Sequence, residues 1–132
     1  MLKLEIVTPE RKVFDDSVDS VTVPTVSGDT GILPNHAPLI SALRPGVLSY
    51  DVNGRAERMV VSGGFVEVNS NKVAVLADMA EAASEIDPAS ARAELEAAEK
   101  ALAAAGTLPI DETEAERERV ERATARVQVA GK

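Results

Sequence analysis

No cysteine and no tryptophan occurs among the 132 residues. The missing cysteines remove disulfide staples, thiol nucleophiles and cysteine-held zinc together, and suit a reducing compartment. Aromatics are nearly as scarce. Phe14, Tyr50 and Phe65 are the three rings, so the core must be aliphatic and no ring cluster exists on which bases could stack. His36 is the single histidine, with no second imidazole or thiol to complete a metal site or a nucleophile-base pair. Positive charge is in deficit: 14 Lys and Arg stand against 22 Asp and Glu, a formal net charge of -8. That balance argues against nucleic acid and against direct adhesion to anionic lipid. No apolar run approaches the roughly 20 residues that span a bilayer. Met1-Leu2-Lys3-Leu4-Glu5-Ile6-Val7 alternates like a strand instead of following the charged-then-apolar order of a secretory signal. The expectation is a soluble, cytoplasmic protein that reaches any membrane through a protein partner.

What the chain does contain begins with strand grammar from residue 1 to about 78. Leu2, Leu4 and Ile6 share one face while Lys3 and Glu5 take the other, the period-two pattern of a half-buried strand. Val21 and Val23 repeat it before Pro24. Leu48, Tyr50 and Val52 lead into Asn53-Gly54, a pair that tolerates positive φ and predicts a tight hairpin into Ala56–Val61. Asn69-Ser70-Asn71 joins a second hairpin, Phe65–Val68 with Lys72–Ala77. Between the early strands, Gly28 to Pro38 reads as one stiff loop. Its glycines permit turns, and Pro34 and Pro38 bias their predecessors toward extended backbone.

Near residue 80 the composition turns from valine to alanine and glutamate. Asp87-Pro88 supplies an N-cap and a proline at the first helical position. Ala91, Leu95, Ala98, Leu102 and Ala105 follow as one stripe, with Gly106 expected to close the helix in a left-handed conformation before Pro109. A second helix is predicted from Asp111, with Glu114 as capping-box partner and Ile110 packing back on Ala115. Its glutamates come first and Arg119, Arg122 and Arg126 last, and Val120, Ala123 and Val127 make its apolar stripe. Burying Leu95 and Leu102 contributes only about 1.5–3 kcal/mol each, and the alanines less. The helical pair therefore docks shallowly, as a mobile arm. The fold class is α+β: an all-β sandwich or flattened barrel over residues 1–84, then an antiparallel two-helix hairpin over 85–132.

Little here resembles a reaction centre. Gly28 to Gly31 lacks the Gly-Lys-Ser/Thr of a phosphate loop, and Ser62-Gly63-Gly64 lacks a strand-to-helix dinucleotide signature. Asp15, Asp16 and Asp19 are carboxylates on what reads as an exposed strand and turn, without a convergent acid-base set. An independent adaptor with a helical effector arm fits the residues better than a small β-domain enzyme.

The residues together resemble one family, the epsilon subunit of the F-type ATP synthase, called delta in mitochondrial nomenclature. The resemblance spans the whole chain. It rests on Gly28-x-x-Gly31-Ile32-Leu33-Pro34-Asn35-His36-Ala37-Pro38, Pro45-Gly46, Ser62-Gly63-Gly64-Phe65-Val66-Glu67-Val68, Val75-Leu76-Ala77-Asp78, Ile86-Asp87-Pro88 and the two-helix tail, in that order. It implies a noncatalytic rotor subunit of a proton-translocating complex, without a cofactor, metal or catalytic residue of its own. Its partners would be the gamma subunit, the c-ring and, through the arm, the catalytic alpha and beta subunits. Membrane association would come only through the complex, peripherally on the cytoplasmic side of the cell membrane or on another energy-transducing membrane. Carried onto these positions, Asp29, Thr30, Gly31 and His36 look like the c-ring contact, and Leu39 and Ser41 like part of the gamma-facing surface. Arg119, Arg122 and Arg126 would form the inhibitory stripe of the arm, restraining ATP hydrolysis.

Some family members bind ATP through a motif resembling Ile/Leu-Asp-x-x-Arg-Ala. Ile86 and Asp87 match its start, but Ser90 holds the arginine position and Arg92 lies about 200° round the helix from it. Losing that guanidinium removes a strong phosphate partner. The departure argues against nucleotide binding through Ile86, Asp87 and Arg92.

Overall fold

The computed structural model describes residues 1–130; Gly131 and Lys132, the end of the segment assigned to the arm, and the side chain of Asp111 lie outside it. Ten strands precede two helices: β1 (Leu2–Val7), β2 (Lys12–Val18), β3 (Ser20–Thr25), β4 (Gly28–Ile32), β5 (Leu39–Ala42), β6 (Gly46–Val52), β7 (Arg55–Ser62), β8 (Phe65–Asn69), β9 (Lys72–Leu76), β10 (Met79–Ala82), α1 (Pro88–Ala104) and α2 (Glu114–Ala130). The strands form two separate sheets, so the architecture is a sandwich and not a barrel. The first sheet runs β2-β1-β9-β8-β5 and the second β10-β7-β6-β3-β4. β1 and β9 pair in parallel, and the other neighbours are antiparallel.

Period-two alternation decides what lies between the sheets. Leu2, Leu4 and Ile6 of β1 meet Val21 and Val23 of β3, Leu48 of β6, Met59 and Val61 of β7, and Val66, Val68, Val73 and Val75 in one aliphatic cluster. The scarce aromatics contribute at its margin, where the rings of Phe14 and Tyr50 lie 4.6 Å apart, tilted by 37°. Both predicted hairpins form. Asn53 and Gly54 take φ of 53° and 79°, and Ser70 and Asn71 take 51° and 62°, the double positive φ of a type I′ turn.

Three sequence expectations are corrected. Gly28 to Pro38 is not one loop: Gly28–Ile32 pairs with β3 as β4, and Gly31 sits inside that strand. Only Leu33–Pro38 is irregular. There the His36 N–H donates to Leu33 O, with Pro34 and a positive-φ Asn35 between them, the pattern of a type II turn. Secondly, Gly106 is not the left-handed terminator. α1 ends through Ala105 at φ −94° and ψ 5°, whose N–H reaches Ala101 O and Leu102 O as the last turn tightens. Thirdly, the second helix starts at Glu114, not Asp111. Ile110–Glu112 forms a 3-10 turn first, Ile110 is 76% exposed and so does not staple, and Thr113 O accepts from the Arg117 N–H.

The hairpin lies on the outer face of the second sheet. Its seam is small: Ala91, Ala125 and Val129 pack with Val60 of β7 and Ile86, flanked by Val47, Met79, Val127 and Ala130. Of the predicted stripes, Ala91, Ala98 and Ala123 are buried while Leu95, Leu102, Val120 and Val127 are half-buried. No helix among the described residues is long and apolar enough to cross a membrane.

Candidate docking surfaces

The two outer faces of the sandwich differ. The second sheet's is covered by the hairpin, but the first sheet's is open and carries an apolar row at one end, with Lys3, Glu5, Glu67 and Lys72 beyond it. Register places Ala42 of β5 beside Phe65 of β8, Phe65 beside Leu76 of β9, and Leu76 beside Val7 of β1. All four point away from the core, giving an apolar row across four strands. Phe65 is 46% exposed, Leu76 41% and the adjacent Ile40 71%. Shallow clefts flank the row, one of about 330 Å³ against Val7, Pro9, Phe65 and Leu76, and one of about 360 Å³ against Pro38, Leu39, Ile40 and Glu67. Leu39 reaches that second cleft from the open sheet edge while also packing on the core. Ser41 is half-buried, facing the same way as Leu39, so the outward side chains of β5 are Ile40 and Ala42.

The residues assigned to the c-ring contact do not converge on one patch. Asp29 lies near the β3–β4 turn, whose Val26 is 61% exposed, and it borders α2 at Glu121 and Gln128. Thr30 turns inward, its hydroxyl 3.1 Å from that of Thr25. Gly31 and His36 lie toward the opposite end. His36 keeps Nδ1 2.6 Å from Ala37 O, and its loop is fixed by the Asn35 N–H donating to Asn71 Oδ1 at 2.6 Å.

The three arm arginines do share a site. Arg119, Arg122 and Arg126 line a cleft of about 480 Å³ between α1, α2 and β10, with Met79, Glu81, Ser90 and Glu94. Arg119 Nε donates to Glu94 Oε1 at 2.7 Å, and that hydrogen bond holds the Glu94 carboxyl below the usual carboxylate range. Arg126 Nε donates to Glu81 Oε1 at 2.9 Å. None of the nucleotide candidates reaches the cleft. Ile86 is buried under the hairpin, and Arg92 is exposed. Asp87 caps α1 by accepting from Ser90 N at 3.2 Å and Ser90 Oγ at 2.6 Å, which lowers its pKa. No group of three or more His, Cys, Asp or Glu side chains among the described residues could hold a metal ion.

The family described as ATP synthase, Delta/Epsilon chain has a beta-sandwich domain model matching residues 1–83 and a long alpha-helix domain model matching residues 84–131. The chain belongs to this family. Among the relatives of this delta/epsilon chain, an ATP synthase epsilon chain from Carboxydothermus hydrogenoformans is 53% identical over 102 residues, 77% of this chain and 76% of the relative. One from Anaeromyxobacter sp. strain K is 47% identical over 131 residues, 99% of this chain and 98% of the relative. The fold is shared with a chain in the cryo-EM structure of the Euglena gracilis mitochondrial ATP synthase OSCP/F1/c-ring assembly. That match has a TM-score of 0.79 at 23% identity and covers 99% of this chain and 81% of that one. As a delta/epsilon chain the protein is a noncatalytic subunit of ATP synthase.

Two features of this delta/epsilon chain were missed in the sequence. The open apolar row had a signal: Leu39-Ile40, Phe65-Val66 and Val75-Leu76-Ala77 are apolar on consecutive residues, which marks strands apolar on both faces. The Glu81 partner of Arg126 had none. The two lie 45 positions apart, and Glu81 read as an ordinary strand residue.

Proposed function

We propose that this chain is a rotor subunit of the central stalk of a proton-translocating F-type ATP synthase. In this reading it passes c-ring rotation to the catalytic head through the gamma subunit, while its helical hairpin restrains ATP hydrolysis. The sandwich, residues 1–84, is the docking unit and residues 85–132 the regulatory arm. The observation that carries the docking role is the in-register row Ala42, Phe65, Leu76 and Val7, left open with Ile40 at one end of the first sheet's outer face. An apolar patch rimmed by charges such as Glu5 and Glu67 suits a protein partner. Strands present it rigidly, so little ordering is needed on binding and torque crosses without slippage.

This face takes the gamma subunit, with Leu39 at its edge and Ser41 supporting the strand from beneath. The c-ring contact centres on Asp29 and the exposed β3–β4 turn. His36 falls with Leu39 and Ile40 on the gamma side, because a single flat partner does not reach both ends of β4. The arm arginines face acidic segments of the catalytic subunits when the hairpin leaves the sheet. The chain sits peripherally on the membrane through the complex, on its cytoplasmic side.

Co-purification with gamma tests the reading. Ile40→Glu combined with Phe65→Ser changes exposed side chains only, so the circular dichroism spectrum stays that of the parent. Recovery of gamma on the tagged variant is expected to fall about tenfold or more, since hot-spot side chains dominate such contacts. Undiminished recovery from a folded variant would move the gamma contact off this face.

A further inference from the structure

Two of the arginines assigned to the arm's inhibitory stripe are not free in the docked chain. Arg119 pairs with Glu94 and Arg126 with Glu81. These pairs differ in what happens when the hairpin moves. Glu94 and Arg119 both belong to the hairpin, on α1 and α2, so their contact travels with it. Glu81 belongs to β10 and Arg126 to α2, so theirs must break. We propose that Glu81 is a lock: its carboxylate holds the hairpin on the sandwich and, in the same contact, withholds the one stripe arginine that release would set free. The inference rests on the reading of the hairpin as a restraint on hydrolysis.

The geometry gives this pair more weight than the other fastenings. Both side chains are 24% exposed, the most enclosed ion pair among the described residues, and Arg126 engages both carboxylate oxygens through Nε and Nη2. A forked, partly desolvated contact is stronger than a surface pair, and either partner left alone in that cleft is penalised. The remaining links are weaker. Arg44 pairs with Glu121 in a more exposed setting, and Arg58 Nη2 donates to the Gln128 carbonyl at 2.9 Å. The apolar seam beneath is small and includes Ala91 and Ala125 among its buried side chains, and alanine removes little area from water. A single ion pair can therefore shift the docking balance.

The lock makes an unusual demand: removing the two halves of one ion pair must act in opposite directions on the assembled enzyme. Glu81→Gln frees the arm with Arg126 intact and deepens the inhibition of ATP hydrolysis. Arg126→Ala also frees the arm but deletes the cation, and relieves inhibition. The swapped pair, Glu81→Arg with Arg126→Glu, restores docking without restoring inhibition. Docking is read independently in the full-length chain from the distance between spin labels on Glu10→Cys and Glu99→Cys, since the sequence supplies no competing cysteine.

The released population is expected to rise about threefold in Glu81→Gln and to return to the parent's in the swapped pair. Label distances unchanged in Glu81→Gln would overturn the lock, and so would inhibition as strong in Arg126→Ala as in Glu81→Gln. If the labels move apart while hydrolysis stays constant in both variants, the holding role stands and the reading of the hairpin as a restraint falls.

Discussion

Gly64 shows how little room one position can have. It stands at φ +83°, and a Cβ there would lie 1.8 Å from the Leu76 carbonyl oxygen and 3.0 Å from Ala77 Cα. Both obstacles are backbone at the end of β9 and just beyond it, so neither can rotate aside. Its own carbonyl accepts from the Leu43 N–H, tying the start of β8 to the crossing between the sheets. Gly64→Ala should cost about 3 kcal/mol through left-handed strain and displaced backbone, read as a lower urea midpoint with an unchanged slope. An unaltered midpoint would mean that the crossing relaxes freely. At this scale the sequence was legible where chemistry is local. Asn53-Gly54 announced its turn because few residue pairs accept two positive φ values in succession. His36 was legible as a loop residue, but not the Asn35–Asn71 bond that fixes its loop, because the partners are 36 residues apart.

Elements with strong end signals were read correctly, and those with weak ones were displaced. α1 begins at Pro88 because Asp87 caps it and the proline has no N–H to leave unpaired. α2 begins three residues later than its acidic residues suggested. Pro109 and the 3-10 turn hand the first helical hydrogen bond to Thr113, whose hydroxyl is occupied with Ile110 O. The caps also make the hairpin sensitive to acid. Hydrogen bonds from Ser90 lower the pKa of Asp87, and the one from Arg119 lowers that of Glu94. The folded chain thus holds these protons less tightly than the unfolded one. Their stabilisation is complete above the ordinary carboxylate range near pH 4 and is lost as pH falls through the lower values of the folded state. Amide exchange should accordingly show the hairpin losing protection in acid before the sandwich core. At neutral pH, Asp87→Ala should reduce protection of the first turn of α1 roughly fivefold. Protection unaffected by that change would deny the cap its role.

The whole molecule is asymmetric in a way that no single element reveals. One sandwich face is closed by its own hairpin, and the other is open, with an apolar row in register across four strands. Strand grammar, the change to alanine near residue 80 and the two-helix tail were plain in the sequence, since each follows from periodicity within a short window. Which sheet the hairpin covers was not, because that depends on strand order, and strand order is set by contacts between distant segments. The ion pairs that split the arginine stripe were hidden for the same reason. Under the proposed function this chain transmits rotation and makes no bonds itself. ATP synthesis driven by an imposed proton gradient probes that role, in vesicles carrying the complex assembled from its remaining subunits with or without this chain. Synthesis is expected to require the chain, to return when it is added during assembly, and to be absent from the chain alone. Synthesis at an equal rate in complexes that lack it would rule out the rotor role.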